Sequence, residues 1–151
     1  MRSERFCCAA ALDRSRDLSR PLLVVAAVYF LASLGHFSHN AEFICEYPNL
    51  PAWLTRTKVY ASWAAISSVG LAGFIFLRGG RVVPGLLLVA SYAGLGFDGL
   101  GHYALAPIEF HTFGANLTIL AEVAAAAVLL PFTLWCLLGH LRGAASGERP
   151  V

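Results

Sequence analysis

The stretch PLLVVAAVYFLASLGHFSHNAEF, residues 21–43, sets the fold class of this chain. Crossing a hydrocarbon core about 30 Å thick takes about 20 apolar residues of helix, and this stretch is long enough. Three more stretches qualify, at about residues 58–77, 82–103 and 112–138. They are continuous apolar runs, without the alternation of apolar and polar residues that is typical of a membrane barrel. We therefore predict an all-α membrane protein, an antiparallel bundle of four transmembrane helices within residues 21–139.

The composition of the whole chain agrees with this prediction. Of its 151 residues, 58% are hydrophobic and 13% are charged, and the mean hydropathy is +0.65. Soluble domains carry about 25% charged residues, so this chain has about half the usual charge. The shortage excludes a disordered chain and most water-soluble enzymes of this length. A net charge of +2 is too small to attract nucleic acid, and we expect no such partner.

The basic residues predict the direction of the spans. Nine of the eleven Lys and Arg residues fall in the N-terminal tail (residues 1–20), the loop after the second span, or the C-terminal tail (residues 140–151). A four-span chain places these three segments on one side of the membrane, and only Arg56 and Lys58 lie on the other. Cytoplasmic segments carry the excess of basic residues. We predict a multi-pass inner-membrane protein with both termini in the cytoplasm and a mobile N-terminal tail.

Histidines and carboxylates gather at the opposite, outer end of the predicted bundle. His36 and His39 are three residues apart and share a face of the first span, and Glu42 follows one turn later. In the third span, Asp98 and His102 are four residues apart and again share a face. Ionisable groups are costly inside a membrane and usually face the bundle interior or a water-filled cavity. We expect these side chains to point inward.

The fourth span adds one histidine and one carboxylate. Glu122 lies eleven residues after His111, close to three helical turns, so both share a face and Glu122 lies about 16 Å deeper. The loop before this span, residues 104–111, is short, so the third and fourth spans are neighbours and His102 comes close to His111. The sequence therefore predicts one shared site beneath the outer surface.

A transition-metal site is the first functional hypothesis. Imidazole and carboxylate suit iron, zinc or copper, and a bundle can supply them from several helices for redox or hydrolytic chemistry. The predicted ligands, or groups that orient a ligand, are His36, His39, His102, His111, Asp98 and Glu42. A haem held by two of the histidines is an alternative, and it would be b-type because the chain has no CxxCH motif. Haem leaves the carboxylates unexplained.

Other hypotheses need no metal. Glu122 and Asp98 are then the catalytic residues of an acid–base enzyme that, with His102, acts on an apolar substrate dissolved in the bilayer. The same three residues also suit a relay for proton or ion transport, although four spans leave little room for a path without a homo-oligomer. A structural subunit of a larger membrane complex is the last alternative. The histidines and carboxylates near the helix ends then only meet the headgroup layer of the lipid bilayer, and Asp98 and His102 form an internal pair.

Overall fold

The computed structural model describes residues 3–145, and within them the side chains of residues 20–144. This part of the chain is helical and contains no strands, as predicted. Its helices are α1 (Ser3–Glu42), α2 (Arg56–Arg78), α3 (Val82–Leu95), α4 (Gly101–Leu105) and α5 (Phe113–Ala145). Short 3-10 segments lie at Ile44–Glu46, Gly96–Leu100 and Ile108–Phe110.

Four segments are long and apolar enough to cross a membrane. They are Arg20–Glu42, Arg56–Arg78, Val82–Leu105 and Phe113–Ala144, and they overlap the four predicted spans. Helix α5 continues past the predicted end of its span at Leu138, so the predicted C-terminal tail begins inside a helix, and residues 146–151 lie outside the described part. Helix α1 begins before its predicted start, since residues 3–19 continue the same helix. The third span is interrupted, because the 3-10 segment Gly96–Leu100 separates α3 from α4.

The four spans form a ring in which each touches two neighbours. Helix α1 packs against α2 and α5, and α3 also packs against α2 and α5. The antiparallel order shows in the contacts between α1 and α2: Phe30 meets Trp63, and Glu42 meets Arg56. We call one end of the bundle the arginine end, after Arg20, Arg78, Arg81 and Arg142. The other is the histidine end, after His36, His39, His102 and His111.

The half of the bundle toward the arginine end is filled with apolar side chains. Its core includes Leu22, Ala26, Tyr29, Leu86, Val89, Tyr92 and Leu129. The fully buried Tyr29 donates from its hydroxyl to the backbone carbonyl of Tyr92 at 3.1 Å, and the two rings meet edge to face at 4.7 Å. In lipid, helix bundles are held together by close van der Waals contact and by hydrogen bonds between helices, such as those that Tyr29 makes here.

Two glycines let α2 and α3 approach closely in this half. A Cβ at Gly70 would lie 2.5 Å from the ring of Tyr92, and one at Gly73 would lie 2.8 Å from Val89. Carbon atoms normally stay about 3.5–4.0 Å apart, so a larger residue would push the helices apart. Beyond α3, the 3-10 segment packs mainly against α5. Helix α2 and the third span therefore separate toward the histidine end and leave space between them.

Candidate functional site

A cavity of about 220 Å³ occupies that space at the histidine end. Its polar lining comes from all four spans and consists of His36, Asn40, Ser62, Asp98, His102 and Glu122. Its apolar lining consists of Phe37, Leu54, Val59, Ile66 and Leu95, with Gly99 between them. Mostly apolar walls with a few polar groups are typical of pockets that bind small molecules.

Glu122 and His36 form the closed end of the cavity. Glu122 is 2% exposed and His36 is 3% exposed. The carboxyl Oε2 of Glu122 lies 3.8 Å from Nε2 of His36, which is too long for a hydrogen bond. The pair therefore brings a carboxyl group and an imidazole together without a direct hydrogen bond between them.

The side wall holds a second imidazole in a fixed position. Nδ2 of Asn40 lies 3.2 Å from Nε2 of His102. The amide NH₂ is the donor, so Nε2 of His102 accepts and the ring proton lies on Nδ1. Within the described residues, Oδ1 of Asn40, Nδ1 of His102 and Nδ1 of His36 are buried without a hydrogen-bond partner. Buried polar atoms normally have one, so these atoms are candidates for contact with a bound molecule.

Asp98 lies at the mouth of the cavity. Asp98 and Leu95 of the third span and Ser62 of α2 all line the cavity and are exposed at the surface of the bundle. The mouth therefore opens sideways, between α2 and the 3-10 segment, toward the side that a bilayer would surround. It lies about 10 Å below the end of the third span at Leu105, at 1.5 Å per residue. A 3-10 stretch inside a helix often marks a functional position.

His111 lies behind the cavity. It is 7% exposed, its Nδ1 donates to the carbonyl of Pro107 at 3.2 Å, and its Nε2 is buried without a partner in the described part of the chain. The ring centroid of His102 lies 6.2 Å from that of His111 and 5.4 Å from that of His36, edge to face in both cases. His102 thus lies between the other two predicted ligands, with its ring against each of theirs.

Two other predicted ligands lie away from the cavity. Glu42 is held by α2: its Oε1 lies 2.6 Å from a guanidinium nitrogen of Arg56 and accepts a hydrogen bond from the hydroxyl of Tyr60 at 2.8 Å. His39 points toward the start of α5, where a Cβ at Gly114 would lie 2.6 Å from its Nε2. Neither side chain lines the space shared by His36, His102 and Glu122.

Tyr47 is a buried residue of this end that helical spacing in the sequence did not reveal. It is 4% exposed, its ring centroid lies 4.9 Å from that of His102, and its hydroxyl lies 2.9 Å from Nδ1 of His39. Burial raises the pKa of the phenol to about 12. Tyr47 follows the 3-10 segment Ile44–Glu46 and lies outside any helix, so it has no helical face to predict. A tyrosine after an apolar span is more typical of the membrane interface.

The predicted ligands do not come together as one metal-binding group. Among the described residues, no group of three or more His, Cys, Asp or Glu side chains could hold a metal ion. The physical reason is local: Glu42 is engaged by Arg56, His39 by Tyr47, and the other imidazoles stack edge to face. What the histidine end does provide is a cavity with carboxyl and imidazole groups on its wall.

Comparison with known proteins adds no family to this site. The chain matches no protein-family model, no curated protein and no solved structure. The side chains of the cavity and their geometry are therefore the basis for a function.

Proposed function

We propose that the histidine end is the active site of an acid–base membrane enzyme that acts on a small apolar substrate dissolved in the bilayer. The cavity is the observation that supports this function. It places the buried carboxyl group of Glu122, the exposed carboxyl group of Asp98 and the imidazoles of His36 and His102 around one apolar space. Acid–base catalysis needs two ionisable groups in different surroundings within reach of one substrate.

Each residue has a role in this proposal. Glu122 is the base that takes a proton from the substrate at the closed end, with His36 beside it at 3.8 Å. Glu122 then returns the proton to a second carbon of the substrate, and Asp98 holds the substrate at the mouth. His102, held by Asn40, forms the part of the wall against which the substrate packs. Removing a proton at one carbon and returning it at another isomerises the substrate, which needs no co-reactant.

The shape of the bundle favours an enzyme over a transporter. The mouth beside Asp98 and Ser62 opens sideways, which suits a substrate that arrives from the lipid. The half toward the arginine end is filled by side chains such as Leu22, Val89 and Leu129, all at most 5% exposed. A transport path needs polar groups along its whole length, whereas the polar groups of this cavity lie toward one end.

Deuterium exchange tests the proposal even while the substrate is unidentified. Purified protein is incubated in D₂O with a lipid extract of the membranes in which it is expressed, and the extract is analysed by mass spectrometry. An enzyme that takes and returns a proton on carbon introduces deuterium into its substrate. We expect one component of the extract to gain deuterium with the natural protein and not with Glu122→Gln.

The matched control for that experiment is Glu109→Gln. Glu109 is also a carboxyl residue of the histidine end, but it is exposed and does not line the cavity. This variant should exchange deuterium at the natural rate. Exchange that survives Glu122→Gln, or exchange with neither the natural protein nor the control, would refute the acid–base proposal.

A transition-metal site is the second candidate, and one observation favours it. The hydrogen bond from Nδ1 of His111 to Pro107 fixes the ring and leaves Nε2 buried without a partner among the described residues. Metal-bound histidines are commonly held in this way. Elemental analysis of the purified protein decides between the candidates. Stoichiometric iron, zinc or copper that is lost in His111→Ala and His102→Ala would favour the metal, and metal-free protein that exchanges deuterium would exclude it.

We further propose that the chain lies in the inner membrane with its arginine end toward the cytoplasm. Arginines concentrate at that end, and among the described residues only Arg56 and Lys58 lie at the histidine end. Cys45 is an exposed thiol at the histidine end. A membrane-impermeant maleimide should label it in intact cells, and Cys45→Ser should abolish the labelling. Labelling that persists in this variant, through Cys7 or Cys8 of the N-terminal tail, would mean the opposite orientation.

A further inference from the structure

We infer that the substrate is an apolar molecule with a protonated amine, whose ammonium group is recognised by Asp98 at the mouth and Glu122 at the closed end of the cavity. This substrate class belongs to the active site described above, so it rests on the proposed function. Three features of the cavity support it: its charge, its unpaired hydrogen-bonding atoms and its apolar walls.

The lining is acidic in composition. Asp98 and Glu122 are its two carboxyl residues, and no Lys or Arg is among the described residues that line it. The nearest group able to carry a positive charge is His36, at 3.8 Å from Glu122. Glu42, just outside, already has Arg56 as its counter-ion. Carboxylates at membrane depth are costly unless they are paired, so a cationic ligand would supply the charge that the lining lacks.

Three acceptor groups of the lining suit a head group with several donors. Asn40 is 7% exposed, and its Oδ1 is buried and has no donor within the described part of the chain. The carboxyl groups of Asp98 and Glu122 are further acceptors when ionised. An ammonium group carries three N–H donors, which suits these three acceptors. A carboxylate ligand brings no donor and would repel both acidic side chains.

The remaining walls suit a compact hydrocarbon body. Phe37, Val59, Ile66 and Leu95 face the same space, which encloses about 220 Å³. A volume of this size takes a small polycyclic or branched body rather than a whole phospholipid. The sideways mouth lets such a body enter from the lipid, with its amine between Asp98 and Glu122.

Thermal unfolding of the purified full-length protein in detergent tests the head group. Three probes share one hydrocarbon cage: 1-adamantanamine, 1-adamantanol and 1-adamantanecarboxylate, all used near neutral pH. A ligand that binds only the folded state should raise the unfolding midpoint by about 3–6 °C when its free concentration is ten times its Kd. We expect this shift with the amine and no comparable shift with the alcohol or the carboxylate.

Substitutions show whether the amine binds in this cavity. Asp98→Asn and Glu122→Gln keep the side-chain shape and remove one charge each, so each should weaken amine binding by about 10- to 100-fold. Gly99→Ala should weaken it by filling space, because its Cβ would lie 3.6 Å from Oε2 of Glu122, an ordinary contact. Glu109→Gln and Gly94→Ala are the matched controls, since Glu109 is exposed and a Cβ at Gly94 meets nothing within 4 Å.

The possible results separate this inference from the function on which it rests. Amine binding that is lost in the three cavity variants and kept in the two controls would support the substrate class. Equal binding of the alcohol, or amine binding that survives both carboxyl substitutions, would overturn it. If deuterium exchange depends on Glu122 while the amine does not bind, the substrate class is wrong and the acid–base function stands. If neither deuterium exchange nor amine binding is observed, the substrate class and the acid–base function are both wrong.

Discussion

Gly70→Ala should destabilise the bundle, because the added methyl group would overlap the ring of Tyr92. A Cβ at this position lies 2.5 Å from Cδ1, 2.8 Å from Cε1 and 2.9 Å from Cγ of that ring. Each distance is roughly 1 Å shorter than a normal contact between carbon atoms. Either the ring must turn or α2 must move away from α3.

The magnitude follows from how firmly Tyr92 is held. Its side chain is 3% exposed, its ring lies 4.7 Å from that of Tyr29, and its backbone carbonyl accepts the Tyr29 hydroxyl. Overpacking in such a place costs about 1–3 kcal/mol. Replacing glycine by alanine inside a helix returns about 0.5–1 kcal/mol. The net loss is therefore about 1–2 kcal/mol, or about 2–8 °C in the unfolding midpoint of a chain of this size.

Thermal unfolding in detergent, followed by circular dichroism, measures this loss. Gly94→Ala and Gly101→Ala are matched controls in the third span, where an added Cβ meets nothing within 4 Å. Both should be as stable as the natural protein or slightly more stable. A Gly70→Ala variant that unfolds with the controls would show that α2 and α3 are not in close contact at this level. Their separation toward the histidine end would then not explain the cavity.

Three other changes test single contacts. Tyr29→Phe removes the buried hydrogen bond to the carbonyl of Tyr92 and should cost about 1 kcal/mol, seen as a lower unfolding midpoint; an unchanged midpoint would mean that the hydroxyl is not bonded there. Glu42→Gln breaks the exposed ion pair with Arg56, so it should lower the stability by at most about 1 kcal/mol. It should leave deuterium exchange intact, and a loss of exchange would place Glu42 in the active site. Burial raises the pKa of the Tyr47 phenol from 10.0 to about 12. The stability that this neutral phenol gives the folded state is complete below pH 10 and is lost as the pH rises toward 12, because the phenol of the unfolded state ionises first. Absorbance titration of phenolate should show a late step that Tyr47→Phe removes, and no late step would contradict the burial of this side chain.

The four spans could be predicted from run length alone. A chain in lipid must satisfy its backbone hydrogen bonds internally, so an apolar run of about 20 residues forms a helix. The interruption of the third span was not predicted, although Gly94, Gly96, Gly99 and Gly101 lie in it or beside it. A Cβ at Gly96 would lie 2.6 Å from the ring of Tyr29, which lies more than sixty residues away in the chain. The sequence around Gly96 does not predict such a contact.

The site was predictable only in part, because helical spacing gives the face of a residue but not its neighbour. Spacing directs His36 and His102 toward the interior, and both line the cavity. Glu42 follows the same spacing, yet Arg56 at the start of the next helix lies 2.6 Å away and holds it at the surface. Tyr47 lies outside any helix, so helical spacing does not predict which way its side chain points.

The apolar filling of the arginine half also has an electrical consequence. A membrane potential falls mainly across the low-dielectric part of a membrane, and that half of the bundle, with Leu22, Val89 and Leu129 in its core, is such a part. In the proposed function, a proton that enters the cavity and leaves again on the same side moves no net charge across this potential. Turnover at the site would thus be electrically silent, driven by the chemical equilibrium of the substrate and insensitive to whether the cell is energised.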